Sequence, residues 1–292
     1  KEGYNREYAA AVNISSATTG LLIPPSNIMV VYSMASGGVS IAALFLAGYI
    51  PGILLGLSLM LVAALIAKRH GYPTAGKVGL GEAVRILWDA IPSLLLIALI
   101  MGGIIFGWFT PTEASAIAVV YTFVLSVLVY RQVKWSELPR LLADSAETTA
   151  MVLVLVGASM GMSWVMASAN IPQVVSAGLL ELTQDKTLLL LIITIILLVV
   201  GTFMDMTPAV LIFTPIFLPV VKQFGMDPIH FGLVMIFNLC IGLCTPPVGS
   251  VLFIGCGVAQ TTIAKVVRPL LPFFAAMLVV LLAVTYVPAL SL

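Results

Sequence analysis

Two proline pairs standing inside apolar runs are where this chain's backbone could do chemistry. Residues 20–27 read GLLIPPSN and residues 242–249 read GLCTPPVG. Gly20, Leu21, Pro24 and Pro25 recur as Gly242, Leu243, Pro246 and Pro247, and Gly3 as Gly225, always at an offset of 222. Proline has no N–H, so Pro246 and Pro247 deprive the carbonyls of Gly242 and Leu243 of their helical donors. An unsatisfied carbonyl in hydrocarbon costs several kcal/mol, so such a break predicts a cavity lined by protein or water. Carbonyl oxygens of this kind are hard donors suited to an alkali cation. The Thr245 hydroxyl stands beside them, and Gly201 and Thr202, in GTFMDMTP at 201–208, can complete a shell. The first copy offers Gly20, Leu21 and Ile23, with Ser15, Ser16 and Thr19 nearby. Past each proline pair a second half-helix begins, and its free N–H groups and dipole favour an anion.

The polar residues of these runs are the other candidates. Asp205 is the one carboxylate inside an apolar segment. Burying it at mid-membrane costs roughly 2.5–3.5 kcal/mol, which makes function the default reading; a hairpin tip that reaches water is the plain alternative. Asn13, Ser26, Asn27 and Asn238 serve either as substrate contacts or as glue between helices, and Pro247 joins the substrate-contact candidates. Glu113, in FTPTEAS at 109–115, reads as a helix-start residue after Thr112 rather than a reactive carboxylate. Cys240, Cys244 and Cys256 read as small packing residues, because Cys240 and Cys244 lack further ligands around them. Enzyme signatures are missing: Asp205 has no carboxylate partner, HExxH and P-loop lysine motifs are absent, and Ser159 and Ser163 have no intramembrane His.

The elements that must hold these residues follow from composition. Of 292 residues 61% are hydrophobic and 9% charged, against about 25% charged in soluble domains, so the chain is a polytopic all-α membrane protein. Broken spans are expected over 9–35 and 231–259, and full spans over 41–66, 91–108, 114–130, 143–167 and 266–287. Residues 81–89 read as an interfacial turn or two, and 171–182, too short to cross comfortably, as a surface-lying or partial helix. Glycines four apart at 48, 52 and 56, and at 157 and 161, predict close helix packing. The arms 187–200 and 208–221 are too short to span and suggest a re-entrant hairpin with its tip at 201–208. Counting crossings, Lys1, Arg6, Lys68, Arg69, Lys77, Arg85, Arg131, Lys134, Arg140, Lys265 and Arg268 share the cytoplasmic side. Only Lys186 and Lys222 fall outside. That split sends the two broken helices through the membrane in opposite directions, an inverted repeat of the kind secondary transporters use. The second copy has membrane segments ahead of its Gly225, so a comparable stretch is expected before Lys1.

The residues GYNREYAAAV leading to GLLIPPSN, AGYIPG, FTPTEAS, GTFMDMTP and MDPIHFG leading to GLCTPPVG closely resemble the large membrane subunit of tripartite ATP-independent periplasmic (TRAP) transporters over the whole chain. The resemblance implies a sodium-coupled symporter of organic acids (C4-dicarboxylates, sialic acid, other sugar acids) in the bacterial inner membrane, with an elevator-type fold. It implies two partners, a small Q-type membrane subunit and a periplasmic P-type binding protein, and no cofactor beyond the coupling Na+. One sodium site maps onto Gly201, Gly242, Thr245 and Val248, the other onto Gly20 and Ile23 plus residues of an expected earlier hairpin. On this reading 1–36 and 183–260 form the transport domain. Residues 37–90 are a scaffold helix and connector, 91–182 scaffold or arm helices, and 261–292 the last scaffold helix. A partner-free dicarboxylate/citrate-type carrier and an ion channel are the competing readings.

Overall fold

The computed structural model describes residues 3–72 and 79–292, except for the side chains of residues 159, 163, 167, 172, 176 and 180. Lys1, Pro73 and Lys77 therefore lie outside the described residues, as do the side chains of Ser159 and Ser163. All regular structure among the described residues is helical. Among the described residues seven helices are long and apolar enough to cross a membrane, or eight if one bent pair counts as a span.

That bent pair is α1 (Arg6–Leu22) and α2 (Asn27–Ala35), set at 50° across four residues. Helix α3 (Ile41–His70) follows, carrying Pro51 inside it and Gly71 in the left-handed conformation at its end. The chain continues with α4 (Leu80–Ile105), α5 (Pro111–Phe123) running into a π-helical turn at Val124–Val129, and α6 (Leu138–Ser168). Then come α7 (Ile171–Leu182), α8 (Lys186–Phe203), α9 (Met206–Gln223), α10 (Pro228–Leu243), α11 (Ser250–Val258) and α12 (Ile263–Tyr286). The chain forms two compact units, Lys1–Pro73 with Leu155–Leu292, and Thr74–Val154.

In the first unit α10 is the core. Its sequence is apolar all round, as a fully enclosed helix requires, and every residue from His230 to Leu243 is buried. It packs against α1, α2, α3, α8, α9 and α12. The offset of 222 extends to whole elements: α1 starts at 6 and α10 at 228, α3 at 41 and α12 at 263. Asn5 and Asp227 cap corresponding helix starts with their side chains. The Tyr8 hydroxyl donates to the Ala63 carbonyl at 2.8 Å, and His230 Nε2–H to the Thr285 carbonyl at 3.2 Å. Both members of that pair of bonds are again 222 residues apart. Arg6, at the start of α1, donates to the Gln260 carbonyl just past α11, at 3.5 Å. Tyr32, near the end of α2, donates to the Pro228 carbonyl at the start of α10, at 2.6 Å.

The glycine stripe of α3 packs as expected. A Cβ at Gly48 would lie 2.6 Å from the Leu22 carbonyl oxygen, and one at Gly52 2.5 Å from Ile23 Cγ1. Thus α3 lies directly on the first break. Gly157 and Gly161 differ, since neither has anything within 4 Å of a built Cβ.

In the second unit the helix start is Thr110, not Thr112. Its side chain accepts from the Glu113 N–H while Glu113 accepts from the Thr110 N–H, a capping box with Pro111 in the first turn. The expected interfacial turn at 81–89 is instead the first part of α4, which carries Pro92 inside it. Tyr121 donates to the Pro92 carbonyl at 2.7 Å, giving that stretch a partner on α5.

Candidate ion and substrate site

The second break spans residues 244–249, between α10 and α11. Its first turn does not leave Gly242 bare, because the Thr245 N–H folds back to the Gly242 carbonyl at 2.9 Å. This corrects the expectation of two orphaned carbonyls. A tightened turn of the i→i+3 kind satisfies one of them locally. Leu243 keeps a carbonyl with no N–H donor among the described residues. A Cβ built on Gly249 would lie 2.6 Å from the Leu243 oxygen and 2.8 Å from the Thr245 oxygen. The Gly249 N–H itself donates to the Thr202 carbonyl at 3.3 Å. Three carbonyl oxygens, of Thr202, Leu243 and Thr245, therefore converge on one residue without a side chain.

The hairpin supplies the facing wall. A Cβ at Gly242 would stand 2.5 Å from Gly201 Cα and 2.7 Å from the Gly201 carbonyl oxygen. The two glycines meet backbone to backbone, bringing Gly201 and Thr202 to Gly242 and the Thr245 turn. The hydroxyls of Thr202 and Thr245 donate back into their own helices, to Leu198 and Ile241 carbonyls at 2.9 and 2.8 Å. Each hydroxyl oxygen thereby keeps its lone pairs for another ligand. Val248 is exposed beside Gly249.

The arms of the hairpin are longer than expected. Helices α8 and α9 have 18 residues each, about 27 Å at 1.5 Å per residue, close to the roughly 30 Å hydrocarbon core. Gly201 to Phe203 stay helical, and the Met204 N–H still reaches the Val200 carbonyl at 2.9 Å. Pro208 falls in the first turn of α9, where its missing N–H costs nothing. Asp205 holds the N-cap position between the arms. Its side chain makes no cap bond, and it is exposed.

In the first break the Ser26 hydroxyl, itself buried, donates to the Leu21 carbonyl at 2.6 Å, so that carbonyl too is satisfied. Among the described residues Gly20 keeps a carbonyl without a donor, exposed and with nothing within 4 Å of a built Cβ. The Ile23 N–H donates to the Thr19 carbonyl at 2.9 Å. Asn27 is exposed at the start of α2, where the N-cap Ser26 makes no side-chain cap bond.

The remaining substrate candidates are dispersed. Asn13 lines a cavity of about 570 Å3 with Tyr4, Arg6 and Gly255. Asn238 is fully buried in α10, with Nδ2 donating to the Val234 carbonyl at 2.8 Å and Oδ1 without a partner among the described residues. Pro247 is exposed at the second break. Sequence reasoning missed Gly249, whose counterpart at the repeat offset is Asn27, so the repeat itself concealed it. It also missed Cys244, whose thiol donates to the Ile14 carbonyl at 3.4 Å and ties the second break to α1.

The family model of the tripartite ATP-independent periplasmic transporter DctM component matches residues 1–290. The chain belongs to that family. It is 56% identical over its whole length to the uncharacterized protein YgiK of Salmonella typhimurium. It is 40% identical over its whole length to the C4-dicarboxylate TRAP transporter large permease protein DctM of Pseudomonas aeruginosa. Over 99% of the chain it is 35% identical to the sialic acid TRAP transporter large permease protein SiaM of Vibrio cholerae. The chain spans 67%, 68% and 67% of these relatives' lengths, about two thirds of each. As a DctM-family chain it is a transmembrane transport protein, a TRAP large permease and not an enzyme.

Proposed function

We propose that this DctM-family chain is the permease of a sodium-coupled symporter that takes an organic acid across the bacterial inner membrane. It works there with a small membrane subunit and a periplasmic binding protein, the three parts of a tripartite system. The observation that carries the reading is the meeting of Gly201 and Thr202 with the Leu243–Thr245–Gly249 turn. Carbonyl oxygens gathered with two threonine hydroxyls, and no cationic side chain among them, suit an alkali cation. The uncapped starts of α2 and α11 supply N–H groups for a carboxylate, beside Asp205, Asn27 and Pro247 as substrate contacts. Relatives named for C4-dicarboxylate and sialic acid support that substrate class.

Inversion of the two broken helices is supported by their end contacts. The start of α1 lies at the end of α11, and the end of α2 at the start of α10. Such a repeat suits an elevator in which 1–36 and 183–260 move against the rest. Coupling has an energetic reason. Carrying a dianion against 100 mV costs roughly 4.6 kcal/mol, at about 2.3 per charge, and two sodium ions cancel it.

The test is sodium-dependent uptake by the full-length permease, reconstituted with its small subunit and binding protein. Thr245→Ala and Asp205→Ala should each abolish it while membrane insertion stays intact, and Thr245→Ser should restore it. Uptake unchanged in Thr245→Ala would remove this turn from the mechanism.

A further inference from the structure

A cavity of about 780 Å3 opens where α1 begins, α3 ends and α12 begins. Three cations line it: Arg69 from the last turn of α3, and Lys265 and Arg268 from the first two turns of α12. None of the three makes an ion pair or a side-chain hydrogen bond among the described residues, where the recorded ion pair is Arg140 with Asp144. Glu7 is the carboxylate in the lining. Three fixed positive charges against one negative leave the cavity a net cation.

One wall is aromatic and ordered. The Tyr8 and Tyr72 rings stack with centroids 5.2 Å apart, and His70 stacks on Tyr72 at 5.7 Å. The bond from Tyr8 to the Ala63 carbonyl fixes that wall to α3. The N-cap of α12, Thr262, makes no side-chain cap bond, so the positive end of that helix adds to the field. Ile66, Pro269 and Pro272 give the lining an apolar part. Leu65 and Leu271, next to it in sequence, are exposed. The cavity thus joins a cationic mouth to an apolar helix surface, and basic pockets of this kind between membrane helices hold anionic headgroups.

We propose that this cavity binds the phosphate of an anionic membrane lipid through Arg69, Lys265 and Arg268, with the acyl chains lying along α3 and α12. The site is separate from the carbonyl cluster at Gly249, and its occupation does not depend on sodium. A free phosphate ion shares the headgroup chemistry but has no use for the apolar side of the cavity.

The experiment uses the purified full-length permease in neutral detergent. Its melting temperature is followed against phosphatidylglycerol, phosphatidylcholine or inorganic phosphate. Phosphatidylglycerol should raise it saturably, and the other two should not. Each of Arg69→Gln, Lys265→Gln and Arg268→Gln should weaken the apparent lipid affinity about fivefold, the worth of one cation near a membrane surface. Arg85→Gln, outside the lining, should leave it unchanged. The single variants are compared by their response to lipid from their own lipid-free baselines, so a change of intrinsic stability does not imitate the effect. Equal lipid responses in the wild type and all three variants would overturn the proposal. A response reproduced by inorganic phosphate and lost in the variants would keep the anion site and overturn the lipid as its occupant.

Discussion

Gly20 and Gly242 hold the same place in the two copies of the repeat, yet their surroundings ask different things of them. Gly242 meets the Gly201 backbone, and a Cβ there would overlap the Gly201 carbonyl carbon. Backbone cannot swing aside as a side chain can. Gly242→Ala should therefore destabilise the protein by about 3 kcal/mol, at the upper end of overpacking costs, and abolish sodium-dependent uptake. Gly20 has open space around it and a carbonyl that alanine retains. Gly20→Ala should leave uptake intact and raise helix stability by up to about 1 kcal/mol. Melting curves and uptake on both variants check the contrast, and equal damage at both positions would refute it. Sequence alone made these residues look alike, because an offset reports what recurs and says nothing of what has come to lie opposite. Asn238 shows the same limit: its type marked it as polar and intramembrane, while its full burial with Oδ1 unpartnered emerged only from packing.

Breaks were legible and ends were not. Proline pairs announced both interruptions, since a missing N–H has one local consequence wherever it occurs. The 18-residue arms of the hairpin, the fusion of 81–89 into α4 and the cap at Thr110 were misjudged for a shared reason. Proline in a first turn, as at Pro111 and Pro208, or carried inside a long helix, as Pro92 is in α4, does not end a helix. Thr110→Ala should cost about 1 kcal/mol, the usual worth of such a cap, read as a lowered melting temperature. At the start of α8 the N–H groups of Thr187 and Leu188 hold the Asp185 carboxyl below its usual range. Because the folded value is depressed, the cap contributes fully above the unfolded value of about 3.9. Its contribution is lost as pH falls through the folded value. Amide exchange in the first turn of α8 should lose protection below about pH 4, and Asp185→Asn should flatten that dependence. Persistent protection in acid would show the turn to be held by packing alone.

The proposed orientation of the full chain can be read in intact cells. With Cys240, Cys244 and Cys256 replaced by alanine, Lys222→Cys should react with an impermeant maleimide from outside. Arg131→Cys should react only after the inner membrane is breached. The reverse pattern would turn the assignment over and remove the charge argument on which the inverted reading partly rests. Whatever its direction, solute movement meets a mechanical constraint at the Gly201–Gly242 seam. Two main chains touching there, with no side chain between them and a further N–H···O link from Gly249 to Thr202, cannot slide or part without breaking that link. Prising α8 from α10 would cost that bond and the backbone packing of the seam, so the cheaper motion is the one that carries the hairpin end and the broken turn together.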